Sequence, residues 1–159
     1  MEKFGFGEHP SNIFERLLEG GAFPKFIQLI EATGIKEELI TGGPYTVFVP
    51  FDEAIDLSPK EKIEEFEKAL KDPVLARKIL RRHMASGEYK IKELIERGKV
   101  KSLSGDELSI KVNCEIKDDY DLELDIEAGK IIVYVNDAQV KLANVPCSNG
   151  ILHIIDKLL

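Results

Sequence analysis

Cysteine is scarce in this 159-residue chain, with Cys114 and Cys147 its only two. At most one disulfide is available, so a disulfide framework is excluded. Long apolar runs are also missing. The longest, Ile131–Val135, falls far short of the ~20 residues that cross a bilayer. Met1–Gly7 lacks the apolar core of a secretory signal, which on its own suggests a cytoplasmic location. No Asn-X-Ser/Thr triplet occurs, so N-glycosylation is not expected. The chain has no basic cluster and a net charge of −7, which argues against a nucleic-acid partner. It has no polar low-complexity tract, internal repeat or linker. What it does have is an ordinary apolar fraction of 43% and a length that fits one hydrophobic core. A single acidic domain over residues 1–159 is expected, with residues 1–10 as a flexible extension, and a monomer in isolation.

The first half carries helical signals. Ser11 is placed to cap a segment with Ile13, Phe14, Leu17 and Leu18 on one side, stopped at Gly20-Gly21. Phe26, Ile27, Leu29 and Ile30 mark a second helix ending near Gly34. Ser58-Pro59-Lys60-Glu61 and Asp72-Pro73 each pair a capping residue with a proline at the first helical position. Glu88–Arg97 supplies a last helix, ended by Gly98. Tyr45–Val49, closed by Pro50, reads as a lone strand among the helices. The second half changes to period two. Ser109–Lys117 reads as a strand with Ile110, Val112, Cys114 and Ile116 inward. Asp118–Tyr120 reads as a turn, and Asp121–Glu127 as a strand with its carboxylates outward. Ile131–Val135, Ala138–Val145 and Ile151–Ile155 complete the strands. Helices followed by an antiparallel sheet give an α+β domain.

Three stretches in this order resemble the fasciclin-type domain. Tyr45-Thr46-Val47-Phe48-Val49-Pro50-Phe51-Asp52-Glu53-Ala54-Ile55 is similar to its first signature box. Val135–Ala138 followed by Ser148–Leu159 is similar to its second. Ile79–Met84 with Gly87 resembles the helix end that carries the family's central histidine, and Ser104–Leu108 the turn entering its sheet. The match runs from about residue 11 to residue 159. It implies a fasciclin-like α+β fold, an antiparallel wedge or sandwich of strands with helices packed along one edge. It also implies a non-enzymatic, extracellular or cell-envelope adhesion module without a cofactor, which binds a protein or polysaccharide at the cell surface. Against a family that is usually exported, a leader would have been removed. The alternative is a small-ligand-binding or stress-associated protein on the same scaffold.

Within the boxes, Thr46, Pro50, His83, Asn149, Gly150, His153 and Asp156 read as structural. Asn149-Gly150 suits a turn with positive φ and an amide that ties off loose backbone groups. His153 lies between Leu152 and Ile154, and His83 lies near an apolar helical stripe. A histidine so placed is more often a hydrogen-bonded core residue than a ligand. Asn144, Val145 and Pro146 occupy the family's best-known adhesive position, where animal members carry an Asp-Ile pair. An amide is a poor substitute for a carboxylate that must complete a metal's coordination, so integrin-type binding is not expected. Arg82 stands where many members place a tyrosine. Cys147, His153 and Asp156 invite comparison with a nucleophile, base and orienter, but the two cysteines read more simply as small buried hydrophobes. Asp121, Glu123 and Asp125 are candidates for a hard cation, although their spacing is not that of an EF-hand. A solvated strand face is the simpler reading, and no metal is expected.

Overall fold

In a computed structural model that describes residues 11–159, two largely apolar runs of the chain lie side by side and parallel. These are β1 (Tyr45–Pro50) and β7 (Gly150–Ile155), with Val47 opposite Leu152 and Val49 opposite Ile154. Both are covered on both faces, which is why their sequences are apolar almost without interruption. Val47, Val49, Leu152 and Ile154 point into one core. Phe48 and Ile155 point into a second core on the other side. Each fully buried side chain of this size contributes about 1.5–3 kcal/mol.

The first core is closed by α1 (Ile13–Gly20), α2 (Pro24–Thr33), α3 (Lys36–Thr41), α4 (Asp52–Asp56), α5 (Lys60–Ala69) and α6 (Pro73–Arg82). The short β2 (Met84–Ser86) pairs with the outer side of β1. Next come α7 (Ile91–Arg97), β3 (Lys99–Lys101), β4 (Glu107–Val112), α8 (Leu122–Glu127), β5 (Val133–Val135) and β6 (Ala138–Cys147). The described residues form one seven-stranded sheet in the order β2-β1-β7-β6-β5-β4-β3. All pairs are antiparallel except β1 with β7. The fold is therefore α+β as expected, with one parallel pair, β1 with β7, next to the edge strand β2. None of the described helices is long and apolar enough to cross a membrane.

Several local expectations need correction. Asp121–Glu127 is not a strand. Asp121 caps α8 by accepting from the Leu124 amide at 3.2 Å, and Glu123 and Asp125 lie in the first turn, where the helix dipole favours acids. Leu122, Leu124 and Ile126 alternate, but Leu122 and Ile126 are also four apart. The helix buries Ile126 and leaves Leu124 62% exposed. Lys111 lies opposite Tyr134 of β5 and has no acidic strand beside it. The strand expected over Ser109–Lys117 ends at Val112, so Cys114 is exposed and not inward, and it is not a buried hydrophobe. The strand expected over Ile131–Val135 begins only at Val133.

Two caps also fall on other residues. Asn12, not Ser11, caps α1, in a reciprocal capping box with Glu15. Ser58 does not cap α5, which begins at Lys60 after Pro59. Its hydroxyl donates to Ala54 O at 2.7 Å and accepts from Leu158 N at 2.9 Å, so it holds the segment after β7. Asp72 does cap α6, accepting from Val74 and Leu75.

Candidate functional site

The residues of the two sequence boxes meet around two fully buried imidazoles. His83 ends α6, where it packs edge-on to Phe26 with ring centroids 5.8 Å apart. Its Nδ1 donates to Ile79 O at 2.8 Å, and its Nε2 accepts from Leu159 N at 3.1 Å. His153 stacks on Phe48 from β7 and carries the opposite tautomer. Its Nε2 donates to Tyr89 O at 2.8 Å, and its Nδ1 accepts from Asn144 N at 3.1 Å. In each ring one nitrogen must donate and the other accept, which the neutral form allows and the cation does not. Burial pushes both histidines down to about 4, well below the ordinary 6.5.

The polar residues around them close backbone gaps between distant segments. Thr46 Oγ1 donates to Gly87 O at 2.8 Å and accepts from Tyr89 N at 2.9 Å, which fixes the segment His153 bonds to. Asn149 Oδ1 accepts from Ile13 N at the start of α1. Its Nδ2 donates to Leu39 O and Gly42 O, both at 2.9 Å. The positive φ expected at Asn149-Gly150 is not found. Glycine is needed at 150 for a different reason. A Cβ there would sit 2.2 Å from Tyr45 O, because β1 and β7 approach closely at their shared start. Asp156 Oδ1 accepts from Gln139 N at 2.7 Å and extends the β6–β7 pairing. Pro50 ends β1 in a buried position.

Asn144, Val145 and Pro146 lie in β6, where the pairing with β7 is irregular between Leu142 and Val145. Asn144 adopts φ 61, a left-handed conformation that asparagine tolerates better than most residues. Its Oδ1 accepts from Ile91 N at 2.8 Å, which supplies the first turn of α7 with an acceptor its own Lys90 lacks. Val145 is buried. Pro146 is exposed, and its carbonyl accepts from Arg16 Nε at 2.8 Å. Of the three, only the proline ring faces solvent, with exposed Ser148 beside it.

Cys147, His153 and Asp156 do not form a catalytic relay. Both His153 nitrogens bond elsewhere, Asp156 bonds Gln139, and Cys147 Sγ makes only a long contact, 4.0 Å, to Val145 O among the described residues. Burial pushes the Cys147 thiol up to about 12, which suppresses the thiolate. Both cysteines are free thiols. Among the described residues no group of three or more His, Cys, Asp or Glu side chains could hold a metal ion. Asp121 is engaged as a helix cap.

A solvent-open cavity of about 410 Å³ went unnoticed in the sequence. It is lined by Lys62, Lys78, Arg82, Asp106, Asn136 and Leu159, among others. The guanidinium of Arg82 donates to Glu65 Oε1 at 2.8 Å and to Leu159 O at 3.2 Å, and lies 3.8 Å from Asp106. The Arg82 hydrogen bond and the nearby Lys62 and Lys78 charges hold Glu65 below the usual carboxylate range. No local pattern marks this lining in the sequence, because its residues come from five separated segments.

A family model for the fasciclin domain matches residues 21–159. The protein sll1483 of Synechocystis sp. is 32% identical over 137 residues, covering 86% of this chain and 66% of that protein. Mouse stabilin-1 is 24% identical over 155 residues, which is 96% of this chain and only 5% of stabilin-1. A solved domain pair from the insect cell adhesion molecule Fasciclin I has the same fold. It matches with a TM-score of 0.68 and 23% identity over 94% of this chain and 51% of that one. The chain thus spans about two thirds or less of each of these proteins.

Proposed function

The chain belongs to the fasciclin domain family, and from that premise we propose that it is a non-enzymatic binding module of cell adhesion, acting outside the cell or in its envelope. Fasciclin domains occur in adhesion proteins, as the insect molecule illustrates. Fold alone does not fix function. The observation that carries the reading is the commitment of both buried histidines, Thr46, Asn149 and Asp156 to backbone hydrogen bonds, which favours surface complementarity as the mode of action. The proposed contact surface is the Asn144–Pro146 end of β6. Asn144 and Val145 shape the irregular strand from inside, and Pro146 with Ser148 meets the partner, a protein or polysaccharide of the cell surface.

The test immobilises cell-envelope protein and polysaccharide fractions from the organism that makes the chain. Retention of the wild type is compared with that of Pro146→Asp and Ser148→Asp. Retention on either fraction that is lost in the variants, at unchanged melting temperature, supports the proposal. Absence of retention on both fractions overturns it.

A further inference from the structure

The cavity beside Arg82 is lined by neither of the two buried histidines, and its lining is distinctive. Its volume of about 410 Å³ lies within the range of about 300–1,000 Å³ typical of small-ligand sites. Lys62 and Lys78, from α5 and α6, are part of its lining. Neither has an ion-pair partner among the described residues, whereas the acids nearby are already engaged. Glu65 and Asp106 lie against Arg82, and Glu107 lies 3.9 Å from Lys99. Arg82 faces two carboxylates, so these side chains leave an excess of one positive charge at the cavity, although the whole chain carries −7.

The rest of the lining is mixed. Asn136 joins it from the β5–β6 turn. Its Oδ1 accepts from Ser109 N, while its Nδ2 has no partner among the described residues. Asp106 and Glu107 offer acceptors, and only Leu108 and Leu159 are apolar. Among the described residues no aromatic ring lines the site, so a stacked base or other flat ring finds no platform there. A dense phosphate cluster would meet the carboxylates of Asp106 and Glu107 at close range. A ligand with one carboxylate and several hydroxyls meets neither obstacle. Its carboxylate would lie at the two lysines, and its hydroxyls would pair with Asn136 and Asp106.

We propose that this cavity, bounded by α5, α6 and the turns before β4 and β6, binds an acidic sugar residue of the uronate type, with Lys62 and Lys78 receiving the carboxylate. The site lies apart from the Asn144–Pro146 surface, so the two assignments fail independently. The experiment is calorimetric titration of the full chain with oligogalacturonide, with the matching neutral galactan, and with inorganic phosphate. It is repeated on the Lys62→Ala/Lys78→Ala double variant and on a Lys90→Ala/Lys92→Ala control. Among the described residues the side chains of Lys62 and Lys78 make no hydrogen bond or ion pair, so their truncation should leave the fold intact, and an unchanged melting temperature checks this.

The expected result is binding of the oligogalacturonide only, weakened about tenfold or more in the double variant and unchanged in the control. Oligogalacturonide binding that survives the double variant overturns the assignment of the cavity. No binding of the oligogalacturonide, equal binding of the galactan, or binding of phosphate at least as tight overturns the assignment of the ligand. In each of those cases the β6 surface remains testable through Pro146→Asp and Ser148→Asp.

Discussion

Acid should weaken this fold over a pH window set by its two buried imidazoles. In the folded chain both His83 and His153 are pushed down to about 4, from 6.5 in a solvated histidine. Above pH 6.5 both states hold the rings neutral, and stability does not change on their account. Between 6.5 and 4 the unfolded chain takes up protons that the folded chain refuses, so stability falls as pH falls. Below about 4 the folded rings also titrate and the loss levels off. Each pH unit inside the window is worth about 1.4 kcal/mol per ring. From pH 6.5 to pH 5 the loss is therefore about 2 kcal/mol for each histidine and about 4 kcal/mol together. That is a large part of the 5–15 kcal/mol that holds a typical domain.

Urea unfolding at half-unit steps from pH 7.5 to 5 measures this directly, in a range where ordinary carboxylates stay ionised. His83→Gln and His153→Gln each remove one titrating ring and should roughly halve the slope, whatever they cost at pH 7. Proton NMR adds a second readout, because the two buried rings should show no titration down to pH 5. A slope that either single variant leaves unchanged, or a ring that titrates near 6.5 in the folded chain, would refute the reasoning.

Three further outcomes follow from local geometry. Gly150→Ala places a methyl 2.2 Å from Tyr45 O, within the parallel β1–β7 pair. It should cost about 3 kcal/mol, seen as a lower urea midpoint, and a near-neutral result would mean that the strands separate easily. Asn144→Ala loses both the acceptor for Ile91 N and the residue suited to φ 61, and should cost about 2 kcal/mol. Asn144→Asp keeps the acceptor and should cost well under half of that in the same unfolding assay. Iodoacetamide at pH 8, followed by mass spectrometry, should label exposed Cys114 quickly and leave Cys147 largely unmodified, because burial pushes that thiol up to about 12.

What the sequence made legible and what it hid have the same physical origin. A strand covered on both faces is apolar at every step. Val47-Phe48-Val49 and Ile151–Ile155 were therefore readable as strands, and the chemistry of their neighbours as structural. Leu122, Leu124 and Ile126 were misread because three alternating apolar residues also place two on one face of a helix. Only the cap from Asp121 and the exposure of Leu124 separate the two cases. Asn149 was recognisable from its turn-forming neighbour, but the demand on Gly150 comes from Tyr45, more than a hundred residues away, and no local pattern encodes it.

The cavity was hidden for the same reason at larger scale. Lys78 and Arg82 are four apart on α6 and share a face, yet Lys62, Asp106, Asn136 and Leu159 reach them only through the fold. The two departures from the family's pattern then take on a common meaning. Where an acid and an aromatic are expected, this chain has Asn144, turned inward to bond α7, and Arg82, locked between Glu65 and Leu159. Each exchange removes a group that could face a partner at the familiar position and supplies one that ties the scaffold together. The second also holds Glu65 and Asp106 against Arg82, beside Lys62 and Lys78. Recognition by this chain is accordingly expected at polar groups that the fold assembles, and the signature boxes serve to hold those groups in place.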